Sequence, residues 1–287
     1  MPRFAYVNGQ YRRHNEAAVH IEDRGYQFAD GIYEVVTVMN NKLIDEEGHL
    51  DRLERSLKEL QIAMPMSRQV FKMVSRELAR RNGLDNGLIY MQVTRGVAPR
   101  NHAFPAANVP PAVVMTTKRM NFNKMKKFTE GVSVITIPDQ RWERRDIKTV
   151  ALLPNCLGKQ KATEAGSYEA WQVDGDGYIT EGTSSNAWIL SKDKKLITRP
   201  LSNDILHGIT RRTVLQLAAE EGIEVEERAF TVDEAYDALE AYATSATSFV
   251  TPIVRIDDKV LGNGKPGHFG QKLLAAYTDY AEGAGAS

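Results

Sequence analysis

No feature constrains this chain more than Lys148, which sits in the stretch Asp146-Ile147-Lys148-Thr149 between two β-branched residues. Alternation of this kind is strand grammar: Ile147 and Thr149 share one face and Lys148 takes the other. A lysine on the inward side of a strand is costly, because desolvation penalises its charged form. The same desolvation frees the amine as a nucleophile. On local pattern alone a solvated surface lysine is the commoner outcome, since lysines are mostly exposed. A second segment, Thr180-Glu181-Gly182-Thr183-Ser184-Ser185-Asn186, offers a carboxylate, a glycine and a run of hydroxyls. A lysine that forms a Schiff base, with an acid that holds a pyridinium proton, is the pair that pyridoxal phosphate (PLP) asks of a protein.

The rest of the chain reads as strands and helices without strict alternation. Phe4–Val7, Asn8-Gly9 and Gln10-Tyr11 form a hairpin with a tight turn. Tyr33–Met39 is a β-branched strand that turns at Asn40-Asn41 into Lys42–Ile44. Leu50, Leu53, Leu57 and Leu60 recur at helical spacing, and Ser67 caps a further helix that ends at Asn82-Gly83. Strands follow at 89–94 and 112–117, with a long Pro- and Asn-bearing loop, 96–111, between them; loops of that length are usually functional. The basic run Lys118–Lys127 reads as a solvated linker, and the junction between two parts falls near Arg119–Phe128. Beyond it come strands at 132–137, 169–173, 178–181, 187–190, 196–198, 225–229 and 241–244, and helices at 154–164, 209–220, 233–239 and 269–280. This pattern predicts an α+β or mixed α/β fold in two domains, 1–120 and 121–287, with Lys148 carried by the second.

Composition excludes several classes. The 287 residues carry a formal net charge of +0, so there is no electrostatic footprint for nucleic acid or an anionic membrane. Cys156 is the single cysteine, so no intrachain disulfide can form, which suits a reducing cytoplasm. No apolar run approaches a membrane span. Gly262-Asn263-Gly264-Lys265-Pro266-Gly267 matches the dinucleotide-binding glycine pattern, but Pro266 would sit at the turn into the helix and too little chain follows for a strand–helix–strand unit. Asp174-Gly175-Asp176-Gly177 lacks the further oxygens of a calcium loop, and the histidines show no metal-ligand spacing. No metal site is expected.

Longer motifs carry a resemblance. Lys148–Gly166 reads Lys-Thr-Val-Ala-Leu-Leu-Pro-Asn-Cys-Leu-Gly-Lys-Gln-Lys-Ala-Thr-Glu-Ala-Gly, followed by Tyr168-Glu169-Ala170 and the Glu181 segment. With these the chain resembles the fold-type IV PLP enzymes, the family of branched-chain and D-amino acid transaminases. Glu22-Asp23-Arg24-Gly25-Tyr26-Gln27-Phe28-Ala29-Asp30-Gly31-Ile32-Tyr33-Glu34-Val35-Val36 and Gln92-Val93-Thr94-Arg95-Gly96-Val97-Ala98-Pro99-Arg100-Asn101-His102 are similar to the D-amino acid members. The resemblance covers nearly the whole chain and implies a cofactor at the domain interface. Lys148 falls on the family's Schiff-base lysine and Glu181 on the partner of the pyridine nitrogen. Lys159 and Lys161 lie on the following helix and are expected to reach solvent.

Cofactor contacts are expected from Arg52, Ser184, Ser185, Leu206, Ile209, Thr210, Ser245 and Ala246, with the phosphate falling to Arg52, to the helix start at Ile209 and Thr210, and to the loop of Ser245 and Ala246. Bare N–H groups at a helix N-terminus suit a dianion. Ala246 departs from the family, which has a threonine there, so one side-chain hydrogen bond to the phosphate is expected to be missing. The resemblance makes Tyr33, Arg100 and His102 the trap for the substrate α-carboxylate and implies a homodimer, because in the family the arginine and histidine reach in from the neighbouring subunit. The implied activity is transamination between a D-amino acid such as D-alanine and a 2-oxo acid such as 2-oxoglutarate. A branched-chain L-amino acid transaminase, an (R)-selective amine transaminase and an aminodeoxychorismate lyase are the alternatives on the same fold.

Overall fold

The computed structural model describes residues 3–122 and 125–283 and divides into two compact units. The first holds the described residues up to Phe122 together with Ile147–Ala151; the second holds those from 125 to Asp146 and Leu152–Gly283. The expected division at 120/121 lies beside the end of the first unit. The short segment that carries Lys148, expected with the C-terminal part, belongs instead with the first unit. Residues 123 and 124, inside the expected junction, lie outside the described residues.

In the first unit, β1 (Phe4–Val7) and β2 (Gln10–Arg13) form the expected hairpin. Asn8 and Gly9 both adopt positive φ, 46° and 90°, as the hairpin turn requires. Next come α1 (Arg24–Phe28), β3 (Gly31–Met39), β4 (Lys42–Leu43), α2 (Glu46–Glu59), α3 (Arg68–Arg81), β5 (Gly87–Thr94) and β6 (Ala112–Arg119). The sheet is antiparallel in the order β2-β1-β6-β5-β3-β4. The leucine spacing does what it predicts: Leu50, Leu53 and Leu57 of α2 pack with Phe71, Val74 and Leu78 of α3 on the sheet face that carries Ile32, Val36, Ile89, Met91 and Met115. Ser67 caps α3, accepting from the Val70 N–H at 3.4 Å. Ile147 is buried in the same core, which anchors the lysine segment from one side.

In the second unit the elements are α4 (Lys126–Thr129), β7 (Val132–Pro138), α5 (Leu153–Glu164), β8 (Glu169–Val173), β9 (Ile179–Gly182), β10 (Asn186–Leu190), β11 (Leu196–Thr198), α6 (Ile209–Glu220), β12 (Val225–Glu227), α7 (Val232–Tyr236), β13 (Glu240–Ser245), β14 (Phe249–Ile256), β15 (Lys259–Val260) and α8 (His268–Gly283). The nine-stranded sheet runs β12-β11-β10-β13-β14-β7-β8-β9, with β15 paired to β14. Pairs β11–β12, β14–β7 and β7–β8 are parallel and the others antiparallel. The fold is thus mixed α+β, as the unalternating element order predicts. The expected helix over 233–239 is the shorter α7, opened by a capping box between Thr231 and Glu234. The glycine-rich stretch 262–267 is a connection between β15 and α8.

Candidate active site

Lys148 is held by main-chain hydrogen bonds to the start of β3. The Tyr33 N–H donates to the Lys148 carbonyl at 2.9 Å, the Val150 N–H donates to the Gly31 carbonyl at 3.0 Å, and Ile32 bridges Thr149 antiparallel. The expected lysine strand is therefore one isolated bridge and not a full strand. The predicted alternation survives: Ile147 and Thr149 are buried and Lys148 turns the other way, half-buried, with Nζ 4.2 Å from the centroid of the Tyr33 ring. Gly31 is obligatory here, because a Cβ would come within 2.7 Å of the Val93 carbonyl oxygen. Tyr33 stacks on Tyr90 with centroids 5.6 Å apart. Burial, reinforced by the neighbouring Tyr33, pushes the Tyr90 hydroxyl up to about 12.

Beside this lies a buried ion triad. Arg52 donates from Nε to Glu34 Oε1 at 2.7 Å and from Nη2 to Oε2 at 2.8 Å, and His49 Nδ1 meets Oε2 at 2.8 Å. Burial would raise the Glu34 carboxyl, but the Arg52 charge and the hydrogen bonds from Arg52 and His49 outweigh it and hold it at about 2. Arg52, expected on the cofactor phosphate, thus has much of its guanidinium fork on Glu34. Arg100 and His102 converge elsewhere in the unit, on Phe28: the Arg100 guanidinium carbon is 4.7 Å from the ring centroid and the His102 ring 5.5 Å away.

In the second unit Glu181 lies on β9, 4% exposed. Arg141 Nη1 donates to its Oε1; Asn186 Nδ2 at 2.9 Å and the Leu206 N–H at 3.1 Å donate to its Oε2. Burial raises the carboxyl, and Arg141 and the Leu206 N–H offset that rise only in part. Arg141 also forks onto Asp139, with Nε to Oδ1 at 3.0 Å and Nη2 to Oδ2 at 2.7 Å. One guanidinium therefore stands between two buried carboxylates. A carboxylate offers about four lone-pair positions, and three protein donors on Glu181 leave room for one more, such as a ring N–H.

Leu206, Ile209 and Thr210 surround the start of α6, where Gly208 is the N-cap and no side chain caps the first turn. A Cβ on Gly208 would lie 2.0 Å from Asn186 Oδ1, so a larger residue there would displace the Asn186 amide that donates to Glu181. Thr210 is 3% exposed. These open helix-end donors fit a phosphate dianion. Ser184 and Ser185 have other partners: their hydroxyls donate to Glu169 at 2.7 and 2.5 Å, and the Ser184 N–H donates to it at 2.7 Å. Ser245 and Ala246 begin the turn after β13, which is pinned by Lys127. The Lys127 ammonium donates to the Thr247 carbonyl at 3.1 Å and to Ser248 Oγ at 3.2 Å. Lys127 is thus not the solvated linker residue that the basic run suggests; burial lowers its ammonium to about 8, against the pull of Glu169. Lys159 also departs from expectation, bending back to the Tyr168 carbonyl, whereas Lys161 is exposed.

Sequence reasoning missed Arg141 and Asp139, whose ordinary contexts carry no motif signal; Glu169 lies in the Tyr168-Glu169-Ala170 motif but was given no role. Asn186 ends the motif that carries Glu181, so its place beside that carboxylate was within reach of the pattern.

The family model described as Amino-transferase class IV matches residues 31–256. The D-alanine aminotransferase of Bacillus licheniformis is 43% identical over 269 residues, covering 94% of this chain and 94% of that protein. The D-alanine aminotransferase of Staphylococcus haemolyticus is 39% identical over 277 residues, covering 96% and 97%. The fold is shared with the branched-chain amino acid aminotransferase of Escherichia coli, at a TM-score of 0.90, 22% identity and 99% and 96% coverage of the two chains. A branched-chain amino acid aminotransferase solved with pyridoxamine 5'-phosphate has the same TM-score, 0.90, at 23% identity, with 99% and 95% coverage. The chain belongs to the class IV aminotransferases and is a transferase. No helix among the described residues is long and apolar enough to cross a membrane.

The buried triad has a pH signature. The folded value of Glu34 lies below the ordinary 4.5, so its contribution is fully present above pH 4.5 and is lost as pH falls toward about 2. Glu34→Gln strands the Arg52 charge and lowers stability at neutral pH by about 3–5 kcal/mol. It also flattens the acid limb of a plot of urea midpoint against pH. Parallel acid limbs for wild type and variant would show that Glu34 does not titrate in that window.

Proposed function

We propose that the chain is a D-amino acid aminotransferase, moving the amino group of a D-amino acid such as D-alanine to a 2-oxo acid such as 2-oxoglutarate. The observation that carries the reading is the placement of the Lys148 amine on the face of Tyr33, 4.2 Å from its centroid, on a segment tied to β3 by main-chain hydrogen bonds. The substrate class rests on the likeness to D-alanine aminotransferases over most of the chain.

PLP, when bound, supplies the sink for electrons released when the substrate α-carbon loses its proton. Lys148 would hold the cofactor through Nζ, and the same amine, when free, would be the base that takes the substrate α-proton and the acid that returns it. The bridge to β3 fixes the Lys148 backbone beside Tyr33, which limits where its amine can reach. Glu181 keeps the ring nitrogen protonated, with Arg141, Asn186 and the Leu206 N–H holding its carboxylate in place. The α6 start and the pinned turn at Ser245 and Ala246 bind phosphate, with Arg52 contributing charge. Arg100, with His102 and Tyr33, takes the substrate carboxylate as an arginine fork does. The same reading makes the protein a cytoplasmic homodimer, supported by its single cysteine and by the family pattern; light scattering on the holoenzyme measures the assembly.

Product chirality decides the substrate. With D- and L-alanine as separate donors to 2-oxoglutarate, the D-isomer is the substrate; preference for an L-donor such as L-leucine would give the chain to the branched-chain activity. Glu181→Gln retains PLP but slows the proton-transfer step by at least about two orders of magnitude, roughly 2.7 kcal/mol, because a neutral amide holds the ring proton poorly. Near wild-type single-turnover rates in that variant would remove Glu181 from the mechanism.

A further inference from the structure

Arg24 does not belong to any of the groups described so far, yet it is one of the most deeply buried charges in the first unit, 3% exposed. Its first bond compensates that charge: Nε donates to Asp30 Oδ2 at 2.8 Å. The rest of its fork points at one stretch of the long loop. Nη1 donates to the Asn101 carbonyl at 2.6 Å and to the Ala103 carbonyl at 3.4 Å, and Nη2 donates to the His102 carbonyl at 3.4 Å. Three consecutive carbonyls of an exposed loop thus converge on one buried guanidinium. A planar fork suits this task, and an ammonium on a flexible stem does not.

The grip continues through Phe28, the last residue of α1. The Arg24 guanidinium carbon lies 4.8 Å from the Phe28 centroid, and the Arg100 carbon lies 4.7 Å from it. His102 packs against the same ring. The loop is held a second time at Phe104, which carries the Arg95 guanidinium 3.6 Å from its centroid, and Arg95 shares Asp30 Oδ2 with Arg24 at 2.8 Å. α1 itself is fixed by Asp23, which accepts from the Gly25 N–H at 2.8 Å and from Thr94 Oγ1 at 2.9 Å. Arg100 and His102 are exposed on a loop without secondary structure, and such side chains lose their geometry readily unless something beneath holds them.

We infer that Arg24 and Phe28 are positioning residues for carboxylate recognition: Arg24 fixes the backbone of 101–103, and the Phe28 ring is the platform on which Arg100 and His102 are oriented. This rests on the proposed role of Arg100 and His102 as the carboxylate trap. Neither positioning residue touches substrate.

The test uses the holoenzyme and four variants, with KM for D-alanine and for 2-oxoglutarate, kcat, and the Kd for PLP measured in each. Arg24→Lys keeps the charge but loses the fork; it raises both KM values by about tenfold, since small misplacements of binding groups are costly, and leaves the Kd for PLP within about twofold. Phe28→Leu removes the platform and raises both KM values about two- to fivefold, the range of a cation–π contact, while Phe28→Tyr restores them. Arg100→Ala calibrates the trap itself. If Arg100→Ala raises both KM values and neither Arg24→Lys nor Phe28→Leu does, the positioning role is overturned and the trap stands. If Arg100→Ala leaves them unchanged, the trap itself is lost. A Kd for PLP that rises in step with KM would assign Arg24 a general structural role and also overturn the inference. Should Arg24→Lys fail to fold, the Phe28→Leu and Phe28→Tyr pair decides alone.

Discussion

Two main-chain hydrogen bonds fix the backbone on which the proposed chemistry depends: the Tyr33 N–H to the Lys148 carbonyl and the Val150 N–H to the Gly31 carbonyl. They sew a short segment to the end of β3, so the lysine's backbone is as fixed as the sheet. The arrangement depends on Gly31, the only residue type that lets Val93 approach so closely, and on Ile147, buried in the first unit's core. Sequence continuity places Lys148 among residues of the second unit, but packing assigns it to the first. The proposed role of the amine gains from this, because its backbone is placed by the sheet and not by a loop.

The two buried glutamates show how the same pairing gives different outcomes. Glu34 receives two bonds from Arg52 and one from His49, enough to overcome burial and hold the carboxyl far down. Glu181 is as deeply buried, but its arginine is shared with Asp139, and burial wins. Glu34, held in its charged form, is suited to holding an arginine still, whereas Glu181, with three protein donors, keeps a lone-pair position for one more. Each carboxylate receives three donors; they differ in that the Arg52 fork is turned on Glu34 through two bonds, whereas the Arg141 fork is divided between Glu181 and Asp139.

Much of the fold was legible because its signals were local. The Asn-Gly hairpin, the leucine spacing of α2, the Ser67 cap and the limits of α6 all come from residues within a turn or two of each other. β14 was missed because Pro252 argues against a strand in the middle of a sheet. The structure accommodates it by starting the ladder to β7 at Ile253, one residue later. α1 was missed because five residues carry no helical period. Lys148 and Glu181 stand out in the motifs as candidate site residues, whereas Arg141, which pairs with Asp139, meets Glu181 across a long sequence separation through ordinary-looking residues. The same limit applies to Ser184 and Ser185: the hydroxyl run was visible, but not that Glu169, on another strand, takes those hydroxyls.

The central claim is that Lys148, held on β3 beside Tyr33, is the one lysine that bonds the cofactor. Half-buried Lys127 and Lys159 are its serious competitors, each engaged with Tyr168 or the turn at Ser248. Borohydride reduction of the holoenzyme followed by peptide mapping tests this directly. The account predicts a single pyridoxyl group, on Lys148; a pyridoxyl group on Lys127, Lys159, Lys161 or any other lysine would contradict it.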